Sequence, residues 1–413
     1  MSINSALDSA RTDVVPAEVD SYARKAVVAS GLGYAMDGFD LLILSFILVP
    51  VSAGLHLTQP EAGSLITWTL IGAVIGGLTV GALSDRYGRV RVLSWTILLF
   101  AGFTGLCAFA QGYWDLLTYR TIAGIGLGGE FGIGMALAAE AWPARKRARA
   151  TSYVALGWQA GVLTAALITP VLIPYIGWRG MFLVGVLPAI LAFAVRYYLG
   201  EPALFVEASK KKRINPYSVL FANRESTRAT IGIGIMTSAQ NFGYYGIMIW
   251  LPAYLSTKMG FSVTRSALWI SATVAGGAVG MWVFGQLADR IGRKPLFIAF
   301  QGGAAIMAFV YPQITDPNAL LVAGAVSGIF LSGMIGGYGA LIAETYPTQG
   351  RSTAQNVLFN FGRGVGGFGP LVVGVLATQY SLTTALSFLV VIWVVDIIAT
   401  AFLIKEHKGE SLA

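Results

Sequence analysis

"GALSDRYGRVRVL" occupies residues 81–93 and "GQLADRIGRKPLF" residues 285–297, so one Gly-x-x-x-Asp-Arg-x-Gly-Arg pattern occurs twice, 204 residues apart. A second pair gives the same shift: "EAWPARKR" (140–147) returns as "ETYPTQGR" (344–351). Two unrelated motifs displaced by one length mark the chain as a duplicated unit. Both motifs lie in short polar loops between long apolar runs, so the unit that was duplicated is built from those runs.

Composition says what surrounds them. The 413 residues are 55% hydrophobic and only 12% charged, whereas soluble domains carry about 25% charged residues. A chain this apolar buries its sides in lipid. Its net charge of +8 does not point to nucleic acid, because the basic residues fall in short loops between apolar runs. A single cysteine, Cys107, excludes a disulfide framework and a multi-cysteine metal site. With His56 and His407 as the only histidines, a histidine metal cluster is excluded too, and no cofactor is expected. The first apolar run follows a polar tail and is too long for a cleavable signal.

A helix needs roughly 20 apolar residues to cross the hydrocarbon layer. That window gives twelve spans, near 25–52, 62–83, 92–111, 114–140, 150–174, 178–199, 229–255, 264–287, 295–313, 318–343, 353–377 and 381–404. With the N-terminus inside, Arg179, Lys258 and Arg265 are the basic residues in outer loops, and Arg120 and Arg363 fall within spans. The rest are cytoplasmic or at inner span ends, so both termini are read as cytoplasmic. The expected organisation is a tail (1–24), a six-helix bundle (25–199), a cytoplasmic loop (200–228) containing "KKKR" at 210–213, a second bundle (229–404) and a short tail (405–413). The protein is read as multi-pass in the cell inner (plasma) membrane.

These motifs carry a resemblance. "GALSDRYGRV" resembles the loop 2–3 signature of the major facilitator superfamily, with its second copy in loop 8–9, and "YRTIAGIGLGG" (119–129) resembles that superfamily's fourth helix. Four further pieces, "MDGFD" (36–40), "GGEFGIGMALAAEAWPARKRARATS" (128–152), "GWRGMFLVGVLPA" (177–189) and "GEP" (200–202), resemble the branch of proton-coupled organic-acid symporters, which includes carriers of aromatic acids, muconate, sialic acid and lactate-type acids. The implied fold is an all-α membrane protein of two pseudo-symmetric six-helix bundles around a central cavity, exposed to each side in turn.

In the loop motifs, Gly81 and Gly88 permit a tight turn. Asp85 suits the N-terminus of a helix in the other half, where the dipole favours an anion. Arg86 and Arg89 suit acids at neighbouring helix ends, such as Glu140. The resemblance implies that these residues, with Arg147 and the second set Asp289, Arg290, Arg293, Glu344 and Arg351, latch the cytoplasmic side and release it as the halves rock.

The repeat also separates machinery from cargo. Adding 204 maps Asp37 to Asn241, Asp40 to Tyr244, Arg120 to Gly324 and Glu130 to Met334, while Arg363 maps back to Gln159. Charges that break the symmetry are candidates for chemistry. Each costs roughly 2.5–3.5 kcal/mol at the bilayer centre on insertion scales. Asp37 and Asp40, three residues apart on one helix face, and Glu130 are the proton-coupling candidates, because burial and like charge favour the protonated carboxyl. A structural role, such as pairing with an arginine, is the alternative for each. Arg363 is the candidate anchor for a substrate carboxylate, since guanidinium binds carboxylate bidentately and the flanking "NFGRGVGG" (360–367) lets the helix bend. Arg120 pairs with an acid or assists the proton step. Tyr34, Trp158, Gln159, Gln240, Asn241, Tyr244, Tyr245, Asn356 and Asn360 are candidate lining, and Asp396 is left without a role.

The reading is therefore proton-coupled uptake of a small organic carboxylate, a monocarboxylate with aromatic and hydroxy acids included, by a functional monomer in the bilayer. A sugar or sugar-acid carrier, sialic acid included, and a small-molecule exporter are the alternatives. An enzyme is not expected, because no nucleophile–base pair or metal-ligand set lies at depth.

Overall fold

The structure is a computed structural model that describes residues 19–187, 190, 199–210, 215–261 and 263–406. The tail up to residue 18, most of the sixth span beyond Val186, "KKR" at 211–213 and the tail from His407 lie outside the described residues.

Among the described residues the regular structure is helical throughout, as hydrocarbon requires of a chain that must satisfy its backbone internally. In order, the long helices of the first part are α1 (Ser21–Leu55), α2 (Gln59–Tyr87), α3 (Arg89–Cys107), α4 (Tyr113–Ala141) and α5 (Arg147–Val184), followed by the short α6 (Ala203–Lys210). The second part holds α7 (Arg224–Met259), α8 (Val263–Ile291), α9 (Arg293–Val310), α10 (Pro317–Gly333), α11 (Ile335–Thr345), α12 (Arg351–Gly366), α13 (Gly369–Gln379), α14 (Leu382–Ser387) and α15 (Val390–Leu403).

Local chemistry sets many of these boundaries. Asp20 caps α1 by accepting from the Ala23 N–H at 2.7 Å. Thr58 and Glu61 form a capping box at the start of α2, the reciprocal pairing that satisfies two orphan N–H donors. α2 and α3 are separated by Gly88 alone, at φ +118° and ψ 148°, a region open almost only to glycine. Gly292 repeats it at φ +117° between α8 and α9. The long α5 is broken at Gly177, between the fifth and sixth expected spans. The tenth, eleventh and twelfth expected spans are each two helices, interrupted near Met334, Gly367 and Phe388.

Nine helices among the described residues are, by length and composition, able to cross a membrane. They correspond to all expected spans except the sixth, seventh and eleventh. The sixth is largely outside the described residues. The seventh and eleventh fall short because α7 carries "SAQNFGYYG" and α12 carries "RSTAQNVLFNFGR", amide and charge where a lipid-facing helix would be aliphatic.

The chain divides into two compact units: residues up to Leu220 together with Gly339–Val357, and Phe221–Tyr338 together with Leu358–His407. In the first, α1 packs on α5 and α2 on α4; in the second, α8 packs on α10 and α15 on α9 and α7. Gly124 and Gly128 of α4 leave no room for a Cβ against Thr69 and Ala73 of α2, the small-residue contact typical of membrane helices.

Candidate functional site

In the first unit, Asp40 on α1 meets Arg120 on α4. The carboxylate oxygens lie 2.7 and 2.9 Å from Arg120 Nη1, and both side chains are fully buried, at 0% exposure. Thr104 Oγ1 donates to Asp40 Oδ1 at 3.1 Å. Arg120 Nε donates to Thr69 Oγ1 at 3.3 Å, and that hydroxyl in turn donates to the Leu65 carbonyl at 2.7 Å. A buried pair of this kind persists only when hydrogen bonds meet its remaining polar atoms, and the two threonines supply some of them. Sequence reading named both charges but neither threonine, since a hydroxyl on another helix leaves no pattern in the chain.

Asp37, one turn before Asp40 on α1, is buried. Glu130 is buried on α4, where Thr96 Oγ1 donates to its Oε1 at 3.0 Å. Asp40 is committed to Arg120. Tyr34, one turn before Asp37, stands between Phe131 and Trp158, with ring centroids at 5.2 and 5.4 Å. Phe131, next to Glu130, is the aromatic that sequence reading missed. Gln159 is buried beside Trp158.

In the second unit, Arg363 on α12 is 3% exposed, its guanidinium 5.4 Å from the Phe359 ring centroid. Asn360 on the same helix is buried. α7 approaches α12 closely, since a Cβ at Gly362 would strike Thr237 and one at Gly366 would strike Asn241. Asn241 Nδ2 donates to the Thr237 carbonyl at 2.8 Å and Gln240 Nε2 to the Leu331 carbonyl at 2.5 Å. Tyr244 and Tyr245 stand edge to face at 5.5 Å. The helix ends just past Arg363, where Gly367 N–H donates to the Arg363 carbonyl at 3.1 Å. Asn356, expected to join this group, belongs to the first unit, where its Nδ2 donates to the Ser352 carbonyl at 3.0 Å and its side chain abuts Gly132 of α4.

The loop motifs build a second charged assembly within the first unit. Asp85 accepts from the Thr353 N–H at 2.7 Å, the Thr353 hydroxyl at 2.6 Å and the Ser352 N–H at 3.3 Å. It sits at the N-terminus of α12, where unsatisfied N–H groups and the dipole favour an anion. Gly81 gives this contact room, its Cα facing Ser352 and Thr353. Arg89 pairs with Asp85 at 2.5 Å and Glu140 at 3.1 Å and donates to the Thr348 carbonyl at 2.7 Å. Arg351 reaches the same Glu140 at 2.9 Å. Arg147 lies 3.9 Å from Glu344. The last two pairs are reciprocal under the repeat, Glu140 with Arg351 and Arg147 with Glu344, and they explain why Gly339–Val357 groups with the first unit. Arg86 is turned outward over the Tyr87 ring at 5.3 Å, and Arg290 is exposed as well.

In the second unit Arg293 pairs with Asp289 at 3.2 Å. Each motif also has an acid that sequence reading overlooked. Glu201 accepts from the N–H groups of Arg89, Val90 and Arg91 at 2.7, 3.2 and 3.1 Å. Glu406 accepts from those of Arg293 and Lys294 at 3.1 and 2.8 Å. The "GEP" at 200–202 held the first of these in view, but 112 residues separate donor and acceptor.

Comparison with known proteins agrees with this architecture. The model of the Major Facilitator Superfamily matches residues 30–317 and 233–413. A protein of Haemophilus influenzae provisionally named for metabolite transport is 62% identical, over 96% of this chain and 99% of its own. A protein of Cupriavidus pinatubonensis provisionally named a 4-methylmuconolactone transporter is 32% identical, over 94% of this chain and 91% of its own. The cis,cis-muconate transport protein of Acinetobacter baylyi is 28% identical, over 91% and 93%. A solved structure of the proton:xylose symporter XylE superposes with a TM-score of 0.80 at 19% identity, over 95% of this chain and 98% of that one, a likeness of fold alone.

Proposed function

Because the chain belongs to the Major Facilitator Superfamily, we propose that it takes up a small organic carboxylate together with protons, by alternating access, as a monomer in the inner membrane. Family membership makes it a multi-pass membrane transporter and not an enzyme. The carboxylate is supported by relatives named for muconolactone and muconate transport. The observation that carries it is Arg363: a buried guanidinium beside the Phe359 ring, on a helix too polar to be lipid-facing. Guanidinium recognises carboxylate in a planar, bidentate way that lysine cannot copy.

We divide the proton roles among the buried carboxylates of the first unit. Protonating Asp40 strands the Arg120 charge, which is costly in a buried site, so Asp40 is assigned as counter-ion. Asp37 is assigned as the proton carrier, with Glu130 as the second candidate. The Glu140, Arg89, Arg351 and Asp85 cluster, with Arg147 and Glu344, is assigned as the cytoplasmic latch. Such a latch need bias the equilibrium by only a few kcal/mol to move a population a hundredfold.

A thermal-shift panel of organic acids on purified protein at two pH values tests the substrate class, because a ligand that binds only the folded state raises the melting midpoint. At least one carboxylate should stabilise the wild type, more so at the lower pH, and not Arg363→Lys. Equal stabilisation of both proteins by the same acid removes the anchor. In proteoliposomes Asp37→Asn should retain substrate exchange and lose uphill accumulation.

A further inference from the structure

Asp396 is the buried acid that transport leaves unused. It stands mid-way along α15, "VVIWVVDIIATAFL", at 0% exposure. Neither carboxylate oxygen has a well-formed hydrogen bond among the described residues. Gln301 of α9 faces it. One of the two Nε2 N–H groups of Gln301 donates to Thr400 Oγ1 at 2.7 Å, one turn further along α15, and its Oε1 has no donor among the described residues. Trp393, one turn before Asp396 and fully buried, packs its indole against Gly243 of α7. Gly243 lies between Asn241 and Tyr244, both candidate lining.

Three buried oxygens that only accept are an unstable arrangement. One proton repairs it: as an acid, Asp396 donates an O–H to Gln301 Oε1, which satisfies two acceptors and removes the charge. A divalent cation, which takes roughly six to eight oxygens, finds too few here. Of the charged groups on the packed elements, Arg224 is exposed at the start of α7 and the others are engaged elsewhere. On α9, Lys294 Nζ donates to the Ala401 carbonyl at 2.7 Å and Arg293 pairs with Asp289. On α7, Arg228 donates to the Phe402 carbonyl, Glu225 pairs with Lys405 at 3.0 Å and Lys258 donates to the Pro312 carbonyl at 2.5 Å. The phenols are placed likewise: Tyr338 of α11 donates to the Met236 carbonyl at 3.0 Å, Tyr254 to the Pro312 carbonyl at 3.0 Å, and Tyr244 and Tyr245 face each other.

We propose that Asp396 is a second proton-binding site of the protein, separate from the carboxylates of the first unit: its acid O–H donates to Gln301 Oε1 and pins α15 to α9, and loss of that proton unseats Trp393 from α7. The proton site stands on this geometry; its link to transport rests on the carboxylate reading above.

Infrared difference spectra of the purified full-length protein across a pH series read the site without any substrate. The wild type should show a protonated-carboxyl C=O band that disappears on the alkaline side and is missing in Asp396→Asn, which keeps the shape and the donor. The same band in both proteins overturns the proposal. Gln301→Leu should retain the band at a shifted frequency, and an unshifted band overturns the Gln301 bond; this variant also serves if Asp396→Asn does not fold. Thermal unfolding gives a second reading. A group that binds its proton more tightly when folded makes stability fall as pH rises, so the wild type should lose melting midpoint on the alkaline side and Asp396→Asn should lose less than half as much. Equal losses count against the site. In uptake assays the alkaline limb should move up by about one pH unit in Asp396→Asn, a tenfold change in proton concentration; an unmoved limb cuts the link to α7. Wild type that takes up no carboxylate at all speaks against the substrate reading and leaves the spectroscopic result standing.

Discussion

The two loop motifs and the two sets of buried charges behave differently under the internal repeat. Gly88 and Gly292 share a backbone conformation at φ +118° and +117°. Arg89 and Arg293 each bridge back to the aspartate four residues before, and Glu201 and Glu406 each cap the helix that follows. Duplication preserved the backbone turn, the ion pair and the helix cap together. The Asp40–Arg120 pair has no such twin: its equivalents in the second unit are Tyr244 and Gly324, and Gly324 lies against Thr273 and Tyr311 instead of a charge. The loop motifs are therefore kept twice, and the buried Asp40–Arg120 pair is kept once.

The largest test of that contrast is to break the unique pair. Asp40→Asn leaves Arg120 buried without its carboxylate and should cost about 3–5 kcal/mol. The double variant Asp40→Asn with Arg120→Gln should recover most of the loss in thermal unfolding. At the equivalent position, Tyr244→Phe removes only a hydroxyl and should cost about 1 kcal/mol. Comparable losses at positions 40 and 244 would mean that the asymmetry is decorative.

Next comes the charge of the second unit. Arg363→Lys should weaken substrate binding roughly tenfold or more, the loss of a charged hydrogen bond worth about 1.5–3 kcal/mol. Titration of the purified protein with the acid found in the stability panel gives the number. An affinity within twofold of wild type would falsify the anchor assignment.

How far the sequence carried the site follows from the same contrast. Periodicity is not needed to find a membrane helix; a long apolar run suffices, so the helical architecture was legible. The breaks were legible in part: "NFGRGVGG" announced the interruption after Arg363 and "SGMIGGYG" (332–339) surrounds the one at Met334, whereas that at Phe388 carries no such cluster. The repeat located the asymmetric charges, because subtraction by 204 is arithmetic on the chain. Partners were not legible. Asp37 and Asp40 share a helix face, yet only packing decides that Asp40 meets Arg120, 80 residues away. The adjacent roles of Arg86 and Arg89 were hidden for the same reason: the motif names both, and only the fold turns one outward and buries the other. Glu201 and Glu406 were missed because a cap supplied from a distant loop follows no local capping rule.

Those two caps give a smaller test, aimed at the symmetric part. Glu201→Gln and Glu406→Gln each retain an acceptor and lose a charge at a helix N-terminus, worth about 0.3–1 kcal/mol. Melting midpoints should fall by similar small amounts in the two variants. A large fall in one alone would show that the two loop motifs are not equivalent after all.

The smallest effect lies in a cap with no twin, at the start of α2. The Thr58 N–H and hydroxyl donate to Glu61 Oε2 at 2.8 and 2.7 Å. The backbone bond, then the hydroxyl bond, hold the Glu61 carboxyl below its ordinary value of 4.5. A carboxyl depressed in the folded state contributes stability that is full above its unfolded value and is lost as pH falls through the folded one. The advantage of wild type over Glu61→Gln should therefore be constant near neutrality and shrink below about pH 4.5. Melting curves of both proteins in detergent across that range supply the comparison. Residue 265, one repeat on, is an arginine, so this pH dependence should enter through α2 and not through α8. A difference that persists undiminished in acid would show that the Glu61 charge contributes nothing to the cap, and that the box holds through its neutral hydrogen bonds alone.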